Sequence, residues 1–508
     1  MHPRKFVRDS MVFAAGQYVY RVLLMARGII AARLLGPASY GAWNAIQLVM
    51  DYGTLAQAGT FQGLDQSVPP RIVDGDPVAL DGVKRAGLFN VLVLTSLYAL
   101  GALVYFLNSN GNLVYFWGMR GIAVALACVL LTALGFYHLN LLRAHNNIPA
   151  VSGWYLIQGV VGAGLSLAFI PRFGAWALLG GWLLATLLAL IITQWHAREI
   201  SPIVPRYSRE CLTLLRVGVP MFLYSGSTFI ARTLDRVIIF KYLGALELGY
   251  YSLAVTGVTL LLYLPESVSY VLYPELLKRY REAGDRVEGI RDRVERTYLT
   301  LAVLVPAMCG LAYLLSRDLI GGVLPKFMPG LSAVRIVCFG VGGLAFVGLS
   351  AIVLMTLRRQ AYLIPASILG AALGAALDLI AVRLGTGITG VAWATLIAYV
   401  INGMAMLWLA YMSLHGTWRR CPAMVARALG ALALSFAIAW GLDRILPFAD
   451  APNWGQRLLH MLLAVATFLP LYALAGHPLG RGTGLRQMIA EFAPVWNRRT
   501  GPPESPEP

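Results

Sequence analysis

"RGIIAARLLGPASYGAWN", residues 27–44, carries Arg27 and Arg33 inside a run otherwise apolar enough to enter a membrane. The run stops at Gly36-Pro37 and resumes at Tyr40-Gly41. Glycine ends a helix at little steric cost because it tolerates the left-handed conformation, so the phrase reads as a helical hairpin. A second phrase of the same form, "DRVIIFKYLGALELGYYS", occupies residues 235–252. At an offset of 208 residues Leu35 falls on Leu243, Gly36 on Gly244, Gly41 on Gly249 and Trp43 on Tyr251. Arg33 falls on Lys241, and Arg27 on Asp235. Six spans separate the copies, an even number, so both copies share one orientation. That is a parallel repeat of two six-helix halves, an arrangement used by several transporter folds.

Of the 508 residues, 58% are hydrophobic and only 13% charged, with a mean hydropathy of +0.67. Soluble domains carry about 25% charged residues. Runs at 121–142, 151–170, 175–194, 298–315, 361–382 and 388–412 approach or exceed the ~20 residues that a spanning helix needs, and the alternation of a membrane barrel is absent. The expectation is an all-α polytopic membrane protein of about 14 transmembrane helices, at roughly 12–35, 40–62, 87–107, 121–142, 151–170, 175–195, 213–243, 248–272, 298–315, 332–357, 361–383, 388–412, 427–446 and 456–475. The implied domains are an N-terminal six-helix bundle (1–200), a second bundle (201–415), an extra helix pair (416–475) and a cytoplasmic tail (476–508). The tail ends in "PPESPEP", a composition that cannot build a core.

The net charge is +17, and its placement explains it. Arg4, Lys5, Arg8, Lys84, Arg85, Arg143, Arg198, the run from Lys278 to Arg296, Arg358, Arg359, Arg419 and Arg420 fall on the side of the termini. The other side has little beyond Arg120, Arg172, Arg317 and Lys326. By the positive-inside rule both termini are cytoplasmic, and the charge reports topology rather than nucleic-acid binding. "MHPRKFVRDS" opens like a signal peptide, but the run after it is too long and holds arginines, so it reads as an uncleaved first helix. Five widely spaced cysteines without a Cys-x-x-Cys pair indicate neither a disulfide framework nor a metal site. The phosphate-binding pattern Gly-x-x-x-x-Gly-Lys-Ser/Thr is absent, so ATP is not the direct energy source. No cofactor is expected; H+ and Na+ are the candidate coupling ions.

"ARLLGPASYGAWN" with "LAQAGTFQGLDQSVP" (55–69), "DRVIIFKYLGALELGYYSLA" (235–254) and "YPELLKRY" (273–280) resemble, in this order, bacterial polysaccharide-export and O-antigen flippases. These belong to the multidrug/oligosaccharidyl-lipid/polysaccharide superfamily. The resemblance implies two six-helix bundles around a cavity open alternately to either side of the bacterial inner membrane. It implies a substrate of polyprenyl diphosphate carrying an O-antigen or exopolysaccharide repeat unit, with membrane lipids and polysaccharide polymerase or assembly proteins as partners. Lipid II flippases also have about 14 spans, and the peptidoglycan branch stays open beside this one.

Ionisable groups at membrane depth are costly and usually face a bundle interior or a hydrated cavity. Arg21 and Arg27 in the first span, and Arg232 and Arg236 in the seventh, are the candidate diphosphate and sugar contacts. A dianion needs cations at lipid depth, and arginine is always charged and forks two N–H groups onto phosphate. Asp51, Asp235, Glu266 and Asp378 are the candidate coupling or gating carboxylates. Asp235 has two further readings, as a local partner of Arg232 three residues earlier and as a bridge to Arg27. Glu266 follows Pro265, which can bend a helix. Arg33, Lys241 and Arg335 read as snorkelling toward the outer surface, His460 as polar packing, and residues 278–296 as an amphipathic cytoplasmic connector.

Two rival functions remain. A membrane glycosyltransferase or polymerase needs acid–base groups on an external loop, and Asp318 is the only carboxylate in the longest outer connections. A cation-coupled drug antiporter needs uncompensated carboxylates, whereas arginines outnumber acids in the first and seventh spans, which favours an anion.

Overall fold

A computed structural model describes residues 3–109, 111–201, 204–446 and 453–476. The expected tail from residue 477 onward therefore lies outside the described residues. Sixteen α-helices account for the fold: α1 Pro3–Gly53, α2 Thr60–Asp74, α3 Pro77–Leu107, α4 Asn112–Ala144, α5 Ile148–Phe173, α6 Trp176–Ala197, α7 Arg209–Ala231, α8 Leu234–Tyr242, α9 Ala245–Glu282, α10 Glu288–Val323, α11 Leu331–Val337, α12 Gly340–Thr356, α13 Leu363–Arg383, α14 Gly387–His415, α15 Cys421–Ile445 and α16 Trp454–Gly476. No strand occurs among the described residues. Among the described residues twelve helices are long and apolar enough to cross a membrane, and Pro325–Val337 with Gly340–Thr356, bent by 47°, forms a thirteenth. The chain is a multi-pass membrane protein.

The fourteenth span lies within α1. Gly36 has φ 76°, ψ 172°, outside helical geometry. Arg27 and Trp43 would be about 24 Å apart along a straight helix, yet the Arg27 guanidinium is 5.4 Å from the Trp43 ring centroid. The Tyr40 hydroxyl likewise lies against Gly28. The chain doubles back at Gly36, as the Gly-Pro phrase led us to expect, and α1 is two limbs of a hairpin.

The local sequence explains most of the other ends. Asp76 caps α3 by accepting the Val78 and Ala79 N–H groups, both at 3.0 Å, with Pro77 at the first helical position. Three expected boundaries differ. The second span, expected to run to 62, ends near Gln57; Ala58 and Gly59 are left-handed and start the separate helix α2. The seventh, expected unbroken over 213–243, is interrupted at Arg232–Thr233 into α7 and α8. The basic stretch 278–296 is not a separate surface helix: it extends α9 and α10, joined by a turn with Gly284 and Asp285 at positive φ and held by Arg293 on Glu275 at 3.2 Å. Helix α9 passes Pro265 and Pro274 without interruption.

Two compact units result. Of the described residues, the first comprises those within 3–256, 320–333 and 367–394; the second, those within 257–319, 334–366 and 395–476. In the first, the repeat glycines meet. A Cβ on Gly41 would overlap the Ala245 carbonyl oxygen, and a Cβ on Gly249 the Pro37 carbonyl oxygen. Each copy therefore touches, across the same 208-residue offset, the position equivalent to the one that touches it. Small residues allow this backbone approach where lipid supplies no hydrophobic drive between helices.

In the second unit, α15 and α16 are held by polar contacts to the core helices. Arg335 forks onto Asp443 at 2.9 and 2.6 Å, with its guanidinium 4.5 Å from the Tyr313 ring centroid. It therefore does not reach the headgroups alone, because the extra pair supplies its counter-ion. His460 Nδ1 is 2.5 Å from Asp318, both buried. Ser435 donates to the Pro306 carbonyl at 2.5 Å and Tyr472 to the Val303 carbonyl at 3.0 Å, tying both helices to α10.

Gly41→Ala should lower the thermal unfolding midpoint of the detergent-solubilised protein by an equivalent of about 1–3 kcal/mol or more, because the new methyl meets backbone. Gly101→Ala, which meets nothing within 4 Å, should leave it unchanged or raise it, as alanine is the better helix former. Asp443→Asn should destabilise by about 3 kcal/mol through the stranded Arg335, with the double variant Arg335→Met/Asp443→Leu recovering most of the loss in the same melting measurement.

Candidate functional site

Arg27 is 5% exposed and enclosed by aromatic rings. Its guanidinium lies 5.4 Å from the Trp43 centroid and 5.1 Å from that of Trp182 on α6. Tyr20 and Tyr40 are its electrostatic neighbours. Among the described residues its Nε and Nη1 are buried without a hydrogen-bond partner, and no carboxylate pairs with it. A cation over a desolvated indole gains about 2 kcal/mol, while removing an ion from water costs several. The two rings soften the burial without neutralising it. The hairpin creates this cage: Arg27 is nine residues before Gly36, Trp43 seven after it, and Trp182 eight after Gly174, so all three lie at similar depth.

Tyr20 connects Arg27 to a second group. It packs against Tyr155 with the rings tilted by 59° and their centroids 5.5 Å apart, and Arg27, Asp51 and Arg21 all act on it electrostatically. Asp51, on the second limb of α1, has Arg236 as its principal charged neighbour. Next to it the Tyr52 hydroxyl is 3.0 Å from Thr233 Oγ1, at the break between α7 and α8. Arg236 also neighbours Asp235.

Asp235 is 4% exposed and fully engaged. Its Oδ1 accepts the Arg236 backbone N–H at 2.7 Å and its Oδ2 the Tyr251 hydroxyl at 2.8 Å. Neither the bridge to Arg27 nor a local pair with Arg232 is its principal contact. Tyr251 is the repeat mate of Trp43, so one copy places an indole beside its arginine and the other a phenol on its aspartate.

The first unit thus gathers Arg21, Arg27, Asp51, Asp235 and Arg236 into one chain of electrostatic neighbours. Arg232 closes α7 and acts on Tyr224. Asp378 is buried within α13, and half-buried Glu266 belongs to the second unit; Arg21, Arg232, Glu266 and Asp378 all have further interactions with neighbours. No motif in the sequence marks Tyr20 or Trp182, and Trp43 and Tyr251 stand out there only as repeat mates. Equal distance from a hairpin turn is the signal that singles out the two tryptophans. Among the described residues no group of His, Cys, Asp and Glu could hold a metal ion, and the five cysteines are buried and free.

Two solved structures are similar over most of the chain. The lipid II flippase MurJ in an inward closed conformation superposes with a TM-score of 0.68 at 15% identity, over 92% of this chain and 99% of that one. An inward-facing multidrug resistance MATE family transporter of the MOP superfamily gives 0.64 at 19% identity, over 80% and 95%. At such identities the likeness establishes the fold. No curated protein matches the chain in sequence. The family model described as polysaccharide biosynthesis protein matches residues 30–325, more than half of the sequence. This match begins after Arg21 and Arg27 and takes in the paired glycines of both hairpin copies with Asp51, Asp235 and Arg236, and the chain belongs to the polysaccharide biosynthesis protein family.

Proposed function

We propose that the protein is a flippase that moves a polyprenyl-diphosphate-linked oligosaccharide, an O-antigen or exopolysaccharide repeat unit, across the bacterial inner membrane by alternating access, as a carrier rather than a catalyst. The observation that carries this reading is Arg27: a permanently charged group, buried at membrane depth, with no carboxylate beside it among the described residues. A structural arginine in that position acquires a counter-ion, as Arg335 does. An arginine kept without one suits an anionic ligand that arrives and leaves. Its aromatic walls suit sugar rings as well as the cation itself. Arg21, Arg232 and Arg236 are the proposed further contacts to the diphosphate, and Asp51, Asp235, Glu266 and Asp378 the proposed coupling or gating groups for H+ or Na+. The two six-helix halves of the repeat are the proposed moving parts, and polymerase or assembly proteins the proposed acceptors of the product.

The test is translocation in proteoliposomes. A lipid-linked oligosaccharide is placed in the outer leaflet, and its loss of accessibility to an added glycosidase is followed. Wild type should translocate, and Arg27→Met should lose at least tenfold in rate. The same variant should melt higher, by an equivalent of about 1–4 kcal/mol, because it removes an uncompensated buried charge. Loss of transport with a gain in stability separates a binding role from a packing role. Wild-type rates from Arg27→Met would end the proposal. Selective transport of lipid II would move the chain to the peptidoglycan branch, and selective export of cationic drugs to the antiporter branch.

Asp51→Asn should retain substrate binding while transport no longer responds to an imposed proton or sodium gradient, measured in the same vesicles. An unchanged response would remove Asp51 from the coupling groups.

A further inference from the structure

A cavity of about 510 Å³ opens in the first unit, apart from the Arg27 cage. One wall is a helical stripe on the second limb of α1, Ala45, Leu48, Val49 and Tyr52. A facing stripe on α8 holds Leu234, Val237 and Lys241; Tyr98 and Tyr105 of α3 and Leu113 and Val114 of α4 form the other walls. Its polar floor is already satisfied. The Tyr98 hydroxyl donates to the Val49 carbonyl at 2.7 Å, and that of Tyr52 meets Thr233 at 3.0 Å. What the interior offers an occupant is hydrocarbon and aromatic face.

The rim differs. Lys241 is exposed, three residues before the Gly244 turn, and its Nζ is 5.3 Å from the Tyr242 ring centroid with no carboxylate paired to it among the described residues. Tyr105 and Tyr242, 65% and 53% exposed, sit at the same level, where amphipathic rings mark a membrane–water interface. By the positive-inside rule this is the outer face. The site is an apolar pocket about ten ångströms deep, the helical rise between Leu234 and Lys241, with one cation at its mouth.

We infer that this pocket holds the first isoprene units of a polyprenyl carrier, with Lys241 on the carrier's phosphate at the outer face. The inference rests on the lipid-linked glycan reading above and adds a lipid subsite to it. A volume within the range of single-ligand sites, walled by rings and branched side chains, suits one methyl-branched chain better than a two-chain phospholipid. One cation suits one phosphate ester.

The measurement is lipid retention on the purified full-length protein by native mass spectrometry, with polyprenyl monophosphate, the uncharged polyprenol and phosphatidylglycerol in competition. Polyprenyl phosphate should be retained. Lys241→Gln should weaken it about tenfold, a change of 1.4 kcal/mol, and leave the weaker binding of polyprenol unaltered. Val237→Trp should fill the pocket and eliminate both; Val114→Trp, on another wall, serves if the first variant does not fold. Equal retention of phosphatidylglycerol, or polyprenyl phosphate binding that survives both tryptophans, overturns the inference. Translocation by wild type in vesicles keeps the two claims apart. Intact transport with binding that ignores the pocket variants rejects the subsite alone, whereas pocket-dependent binding without transport rejects the flippase reading and leaves the subsite standing.

Discussion

Backbone meets backbone where Gly41 faces Ala245 and Gly249 faces Pro37. Within a bilayer there is no hydrophobic force to press two helices together, so close packing and polar contacts must do it. With no side chain between them, the second limb of α1 and the start of α9 approach as closely as helices can. This brings α8, immediately before α9, beside the hairpin. Only then can Arg236 act on Asp51, Thr233 meet Tyr52, and Leu234 and Val237 wall the same cavity as Leu48 and Val49.

The two units bury charge in contrasting ways. Arg335 and Asp318 each find a partner on α15 or α16, in pairs with tight geometry. Asp235 accepts a phenol and a backbone N–H, with the Arg236 cation as its charged neighbour. Among the described residues Arg27 has the Trp43 and Trp182 rings beside it and no carboxylate. Aromatic faces attract a guanidinium without supplying the acceptors that would satisfy its N–H groups, so the cage keeps the arginine in place and chemically available. That contrast separates a charge that builds the fold from a charge that serves it.

Much of this was legible in sequence because it is local or periodic. Length and hydropathy gave the spans, Gly36-Pro37 gave the hairpin, and the 208-residue offset marked the two glycines that turn out to touch. Boundaries went astray where a short motif overrode the apolar run, as at Ala58-Gly59 and at Arg232–Thr233. The identities of charge partners were not legible. Asp443 lies 108 residues from Arg335 and His460 lies 142 from Asp318, and no periodicity encodes a pairing at that distance. Nor does sequence say that Arg27 lacks a counter-ion, since Asp235 at the equivalent repeat position invites the opposite conclusion.

Those long separations also set a schedule for biogenesis. A ribosome adds roughly 5–20 residues per second, so Arg335 enters the membrane about 5–20 s before Asp443 is made, and Asp318 waits somewhat longer for His460. During that interval the nascent chain holds unpaired charges among apolar helices and relies on water, or on the insertion machinery, to shelter them. The last two spans thus act as the seal on synthesis. A chain released before Trp454 would leave Asp318 without its imidazole.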